Sequence, residues 1–139
     1  MALDVGDRTV GLAIGTTALA VASPLETVRR TKFTADAGRL FDLMDENEAD
    51  GLVIGLPVNM DGSEGRRCQS VRQFADNLLA LRDVELAFWD ERLSTAAVTR
   101  TMIEADLSRR KRAAAVDRLA AAYILQGALD RLRNLSGND

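Results

Sequence analysis

Ala2-Leu3-Asp4-Val5-Gly6-Asp7-Arg8-Thr9-Val10-Gly11-Leu12-Ala13-Ile14 is the stretch that decides the fold. An apolar quartet, Ala2 to Val5, reads as a short strand. Gly6-Asp7-Arg8-Thr9 is a turn in which glycine frees the backbone. Val10 to Ile14 resumes as a second strand, so the chain opens with a hairpin. Residues 19–28 read as a third extended segment, and Pro24 confines it to a sheet edge or interrupts it. One residue does not belong in this pattern. Asp4 stands between Leu3 and Val5, and an acid there is costly unless the strand end opens on a site or the carboxylate caps the amides of Gly6, Asp7 and Arg8.

Outward from the hairpin the period changes. Thr34 can cap a helix to about residue 48 that buries Leu40, Phe41 and Met44. Gly51 to Leu56, an apolar run bounded by glycine and proline, has the pattern of a buried parallel strand. Residues 57–65 form a loop containing Asp61-Gly62. A second helix then runs to about residue 81, with Val71, Phe74, Leu78 and Leu81 at helical spacing, and residues 84–89 form another strand. Ser94 or Thr95 caps a third helix to about residue 105. A polar, basic loop spans residues 106–112, and a long last helix spans about 113–133. With no repeat, linker or low-complexity tract, residues 1–139 are expected to form one α/β domain. Its mixed central sheet has a three-stranded antiparallel start followed by parallel strands, with helices on both faces.

Composition narrows the chemistry. The 139 residues are 47% hydrophobic and 28% charged, the balance of a soluble domain. No apolar run approaches the ~20 residues of a membrane span, and Met1-Ala2-Leu3-Asp4 does not resemble a signal peptide. The single cysteine, Cys68, fits a reducing, cytoplasmic setting and a helix position without chemical consequence. Histidine is absent. That excludes Ser-His-Asp and Cys-His nucleophiles, His-based zinc sites and imidazole general bases. Any catalysis by this chain rests on carboxylates, hydroxyls, Lys or Arg, with a hard metal.

Acids at two further places are informative. Asp90-Glu91 follows the apolar run Leu86-Ala87-Phe88-Trp89, at the strand end where α/β sheets bind ligands. One of this pair is also free to be solvated or to pair with Arg92. Asp117 shares a helix face with Ala120, Ala121, Ile124 and Ala128. A carboxylate in line with that stripe is partly desolvated and asks for a metal or for a distant Arg. Asp4, one of the Asp90-Glu91 pair and Asp117 could meet at one sheet edge. Hard oxygen ligands suit Mg²⁺ or Mn²⁺, and two such ions ~4 Å apart support phosphodiester hydrolysis without a protein nucleophile. Asp4 is the best candidate to bridge them.

The net charge of −3 hides an asymmetry: residues 91–133 carry nine Lys/Arg against five Asp/Glu. Arg109-Arg110-Lys111-Arg112 concentrates four of these cations, as a solvated run or as a backbone-phosphate contact beside an acidic centre. Arg66 and Arg67, at a helix start, would add phosphate contacts. The loop Asp61-Gly62-Ser63-Glu64-Gly65 offers its amides to a phosphate or is simply a tight connection. Four Phe, one Trp and one Tyr are too few for extensive base stacking, which favours backbone and shape recognition. Gly6-Asp7-Arg8-Thr9-Val10-Gly11 lacks the Lys and Ser/Thr of a Walker loop, and no dinucleotide fingerprint occurs.

Four segments taken in order resemble the YqgF family, also called RuvX. They are Leu3-Asp4-Val5-Gly6 with Val10-Gly11-Leu12-Ala13; Gly55-Leu56-Pro57 with Asp61-Gly62-Ser63; Asp90-Glu91-Arg92-Leu93-Ser94-Thr95; and Val116-Asp117 with Ala120-Ala121 and Ile124-Leu125-Gln126. The resemblance spans almost the whole chain. It implies an RNase H-like fold related to the junction resolvase RuvC. It also implies a metal-dependent nuclease, described as a Holliday junction resolvase and as a processing nuclease for the 5′ end of precursor 16S rRNA. The family's three acidic positions fall on Asp4, Glu91 and Asp117, and a basic position of its first hairpin falls on Arg8. Two departures stand out. Only three residues precede Asp4, which implies a short first strand or a start further upstream, and Gly15-Thr16-Thr17 replaces an acid often found after the second strand.

The expected protein is a cytoplasmic Mg²⁺- or Mn²⁺-dependent nuclease, monomer or homodimer, with no membrane segment. RNA or DNA is its partner through Arg8, Arg66, Arg67, Arg92, Arg109, Arg110, Lys111 and Arg112. Two other readings remain open: a non-catalytic nucleic-acid or ribosome-associated factor on the same fold, and a nucleotide-binding relative of the sugar-kinase and actin fold. Three acids facing phosphates weigh against the first. A single domain with no second half to close over a nucleotide weighs against the other.

Overall fold

The computed structural model describes residues 1–93 and 109–136, with side chains of the last helix described over residues 118–135. Five strands form one mixed sheet: β1 (Ala2–Val5), β2 (Thr9–Gly15), β3 (Ala22–Arg29), β4 (Gly51–Leu56) and β5 (Glu85–Asp90). Among the described residues three α-helices accompany them: α1 (Phe33–Glu46), α2 (Arg66–Leu81) and α3 (Arg109–Ser136). The strand order is β3-β2-β1-β4-β5, antiparallel among the first three and parallel from β1 through β4 to β5. This is the expected mixed sheet, and the 2–5 and 51–56 strands fall where the apolar runs placed them.

Side-chain alternation divides the sheet into two faces. Leu3, Val5, Val10, Leu12, Leu52, Ile54 and Leu56 pack against α1 and α2 in the larger core. The opposite face presents Ala2, Ala13 and Val53 to Ala121, Ile124, Leu125 and Leu129 of α3. Small residues on both partners let α3 lie close to the strands. Gln126 fixes its position by accepting the Ala22 amide at 2.9 Å and donating to the Ala20 carbonyl at 2.8 Å.

Three local expectations are corrected. Thr34 does not cap α1. The helix starts at Phe33 after Lys32, which makes no side-chain cap. Buried Asp36, in the first turn, instead reaches back and accepts the Thr31 amide and hydroxyl at 3.1 Å, tying the residue before the N-cap to the helix. The third strand starts at Ala22, because Thr16 closes a turn by accepting the Ala20 amide at 2.8 Å and the Leu19 amide at 3.1 Å. Pro24 lies on the outer strand beside a register shift at Leu12/Ala13, the kind of edge position in which proline is tolerated. The last helix begins at Arg109, so Arg109 to Arg112 are its first residues and not a loop. Arg, Lys and Ala are strong helix formers, and no breaker separates them. The helix expected after Ser94 or Thr95 lies outside the described residues.

Cys68 is fully buried in α2, and burial pushes its thiol up from the ordinary range, with nearby Glu64 acting in the same sense. The native protein is therefore expected to resist Ellman's reagent at pH 8 and to release one thiol per chain after denaturation. Fast labelling of the folded protein would contradict this packing.

Candidate functional site

Because β1, β4 and β5 run parallel, their carboxyl ends share one edge of the sheet. The β1–β2 turn, the 57–65 connection and a 3-10 turn, Glu91–Leu93, gather there. Such an edge is where open α/β sheets bind ligands.

Asp4 is 8% exposed, one of two buried polar or charged residues among those described. It shares the α3-covered face with Ala2, two residues before it. Leu3 pairs with Ile54, so Asp4 and Gly55 follow next along neighbouring strands. On β5, Trp89 pairs with Gly55, and Glu91 comes two residues later. The Glu91 carboxylate folds back over this same glycine. A methyl group built on Gly55 would stand 3.1 Å from Glu91 Oε1 and 2.5 Å from Ile124 Cδ1. Gly55 is thus the floor on which Glu91 and α3 come down, with Asp4 on the adjoining strand.

The path of α3 brings in the third acid's position. Ile124 meets Gly55 near the carboxyl end of β4, whereas Leu132 lines a cavity with Met1, Asp50 and Gly51 at the opposite end. The helix therefore runs away from the Asp4 edge, and its earlier turns lead toward it. Residue 117 belongs to the α3 backbone two turns before Ile124, but its side chain lies outside the described residues. Among the described residues, no group of three or more His, Cys, Asp or Glu is placed to hold a metal.

Asp90 and Glu91 have separate roles. Asp90 pairs with Arg92, whose Nη2 lies 2.7 Å from Oδ2 and whose amide donates to Oδ1 at 2.9 Å. These bonds hold the Asp90 carboxyl below the usual range. Sequence alone left open which acid would pair with Arg92; the tight turn turns Asp90 to Arg92 and Glu91 to Gly55.

Among the described residues, the expected basic residues come from three elements. Arg8 is exposed in the β1–β2 turn, and Arg66 and Arg67 are exposed at the start of α2. Arg92 is engaged with Asp90 and also donates to the Met60 carbonyl at 3.3 Å. The side chains of Arg109, Arg110, Lys111 and Arg112 lie outside the described residues.

Sequence reasoning missed the internal bonding of the 57–65 connection. The Gly62 amide bonds to the Asn59 carbonyl at 2.8 Å, the Asn59 amide to the Ser63 carbonyl at 2.9 Å, and the Ser63 amide to Asp61 Oδ1 at 2.9 Å. Hydrogen bonds from Ser63 hold the Asp61 carboxyl low. These amides are used within the turn, which favours a tight connection over an open phosphate cradle. The Asp-x-Ser spacing is the sequence signal that marks such a turn.

A mixed sheet with helices on both faces, and acids on its first strand and just beyond its last, is consistent with an RNase H-like α/β domain. The chain belongs to the RuvX family: the family described as "RuvX: Holliday junction resolvase" matches residues 1–131. Among its relatives, a protein of Phenylobacterium zucineum is 62% identical over 135 residues, covering 96% of this chain and 86% of the relative. One of Paramagnetospirillum magneticum is 59% identical over 130 residues, covering 94% and 84%. One of Ruegeria pomeroyi is 56% identical over 133 residues, covering 96% and 86%. All three bear the name "Putative pre-16S rRNA nuclease". Among the described residues, no helix is long and apolar enough to cross a membrane.

Proposed function

We propose that this chain is a divalent-metal-dependent nuclease of the cytoplasm that trims precursor 16S rRNA, with Asp4, Glu91 and Asp117 as metal ligands. The observation that carries the reading is that the Glu91 carboxylate lies over Gly55 of β4, on the strand next to the one that carries buried Asp4. Asp4 is the buried one of the two, and a buried carboxylate is costly unless it is paired, hydrogen-bonded or bound to metal. The donors in question are hard oxygens, with no imidazole in the chain, which fits Mg²⁺ or Mn²⁺. Such ions would supply an activated water and Lewis acidity for phosphodiester hydrolysis. The chain's own part is to present the carboxylates from rigid elements: Asp4 from a central strand, Glu91 from a turn seated on glycine, and position 117 from a helix leading to the same edge. Arg8, Arg66, Arg67, Arg109, Arg110, Lys111 and Arg112 hold backbone phosphates. The names of the relatives direct the substrate toward rRNA, and the family description makes a four-way DNA junction the comparison substrate.

The test is incubation with precursor 16S rRNA leader, single-stranded DNA, duplex DNA and a four-way junction, in Mn²⁺, Mg²⁺ or EDTA. A variant carrying Asp4→Asn, Glu91→Gln and Asp117→Asn runs beside it. Metal-dependent cleavage of the RNA, absent in the variant, is expected. Preferential cutting of the junction would overturn the substrate assignment, and failure of the folded protein to cut any substrate would overturn the nuclease.

A further inference from the structure

We infer that Arg92 is a positioning residue, a clamp that ties the 57–65 connection to the turn carrying Glu91. The inference rests on the nuclease reading for its catalytic consequence, but the clamp itself is geometric. Arg92 spends its fork on two elements. Nε lies 3.1 Å from both oxygens of Asp90, and Nη2 lies 2.7 Å from Oδ2. The remaining Nη1 donates to the Met60 carbonyl at 3.3 Å. The same Nη1 lies 3.7 Å from the position a side chain would take on Gly62, whose φ of +89° makes the turn tight. Asp90 is the last residue of β5 and Glu91 the next one on. The guanidinium therefore braces the backbone immediately on either side of Glu91 against a turn that is itself internally hydrogen-bonded. Its partners are a strand end and a carbonyl, so it holds Glu91 over Gly55 without needing to touch a substrate. Met60, at the bend, is left 88% exposed beside the site.

A clamp and a direct phosphate contact predict opposite signs for one substitution. If Arg92 positions Glu91, Arg92→Ala and Asp90→Asn break the same pair and act alike. Each lowers kcat, and weakens Mn²⁺ half-saturation, by about 10- to 100-fold, with KM for nucleic acid little changed. Arg92→Lys keeps the charge but not the fork and recovers only part of the loss. If Arg92 instead grips phosphate, Arg92→Ala raises KM and reduces the salt slope by about one, while Asp90→Asn removes a repelling charge and lowers KM.

Hydrogen exchange at Gly62 and Ser63, with Mn²⁺ titration by calorimetry, gives a readout that needs no turnover. Faster exchange and weaker Mn²⁺ binding in both Arg92→Ala and Asp90→Asn is the expected result. Unchanged exchange, or opposite KM shifts in the two variants, would overturn the clamp. A wild-type protein that binds Mn²⁺ but cuts nothing would remove the nuclease reading, and the exchange and titration would still decide the clamp.

Discussion

Asp4→Asn is expected to lower cleavage by about 10³-fold or more while the protein stays folded. The magnitude follows from the ligand's place in the proposed site. Metal-assisted stabilisation of developing charge contributes several kcal/mol, and each 1.36 kcal/mol is about tenfold in rate. The retained fold follows from burial. Asp4 is 8% exposed in the interior of β1, and its backbone bonds to β2 do not involve the side chain. Asn has nearly the same volume and carries no charge to desolvate. In EDTA the variant should therefore melt within a few degrees of wild type. With Mn²⁺ the two should separate. A ligand at about a hundred times its Kd adds roughly 2.7 kcal/mol to the state that binds it, and the variant should lose most of that gain. Circular-dichroism melts with and without Mn²⁺, beside the cleavage assay, measure both. Full activity in Asp4→Asn would remove Asp4 from the site.

How far the sequence led depends on which interactions set each feature. The β1 and β4 strands were legible because short apolar runs end at Gly6 and Pro57, where backbone freedom or a missing donor stops the ladder. The helices followed from their period, and their place on both faces from the order of strands and helices. What escaped depends on contacts between distant or bent pieces of chain. The Asp36 carboxylate reaches back to Thr31 from inside the helix, so the nearest hydroxyl, Thr34, misleads. The start of α3 was obscured because a run of cations reads as a solvated loop, although each of those residues favours a helix. For the site, Asp4 was legible as an acid out of pattern in a strand. The division of labour between Asp90 and Glu91 was not, because a 3-10 turn sets it and no alternation rule extends through one. Nor was the part played by Gly55, since a glycine two residues before a proline looks like punctuation until the atoms above it are known.

Gly55→Ala tests that part, and its two effects can be pulled apart. Gly55 lies in β4 outside the positive-φ region, so the substitution is not one of backbone strain. The added methyl meets Ile124 Cδ1 at 2.5 Å and Cγ1 at 3.2 Å, and Glu91 Oε1 at 3.1 Å. The first contact is one real atoms do not sustain. Ile124 is fully buried between α3 and the sheet, so the helix must lift or the side chain must leave its rotamer. Overpacking of this kind costs about 1–3 kcal/mol. The Glu91 contact is milder, and a carboxylate at the head of a turn moves to relieve it, at the expense of its place over Gly55. Gly55→Ala alone should therefore both melt earlier and lose activity. Adding Ile124→Val removes the Cδ1 atom that clashes hardest and should restore much of the melting temperature. It does nothing for Glu91, so cleavage should stay depressed by about 10- to 100-fold, the loss associated with a misplaced catalytic group. If the double variant recovers rate and stability together, Gly55 serves only the seating of α3. If stability returns and rate does not, the missing side chain at residue 55 is what lets Glu91 close over the edge of the sheet.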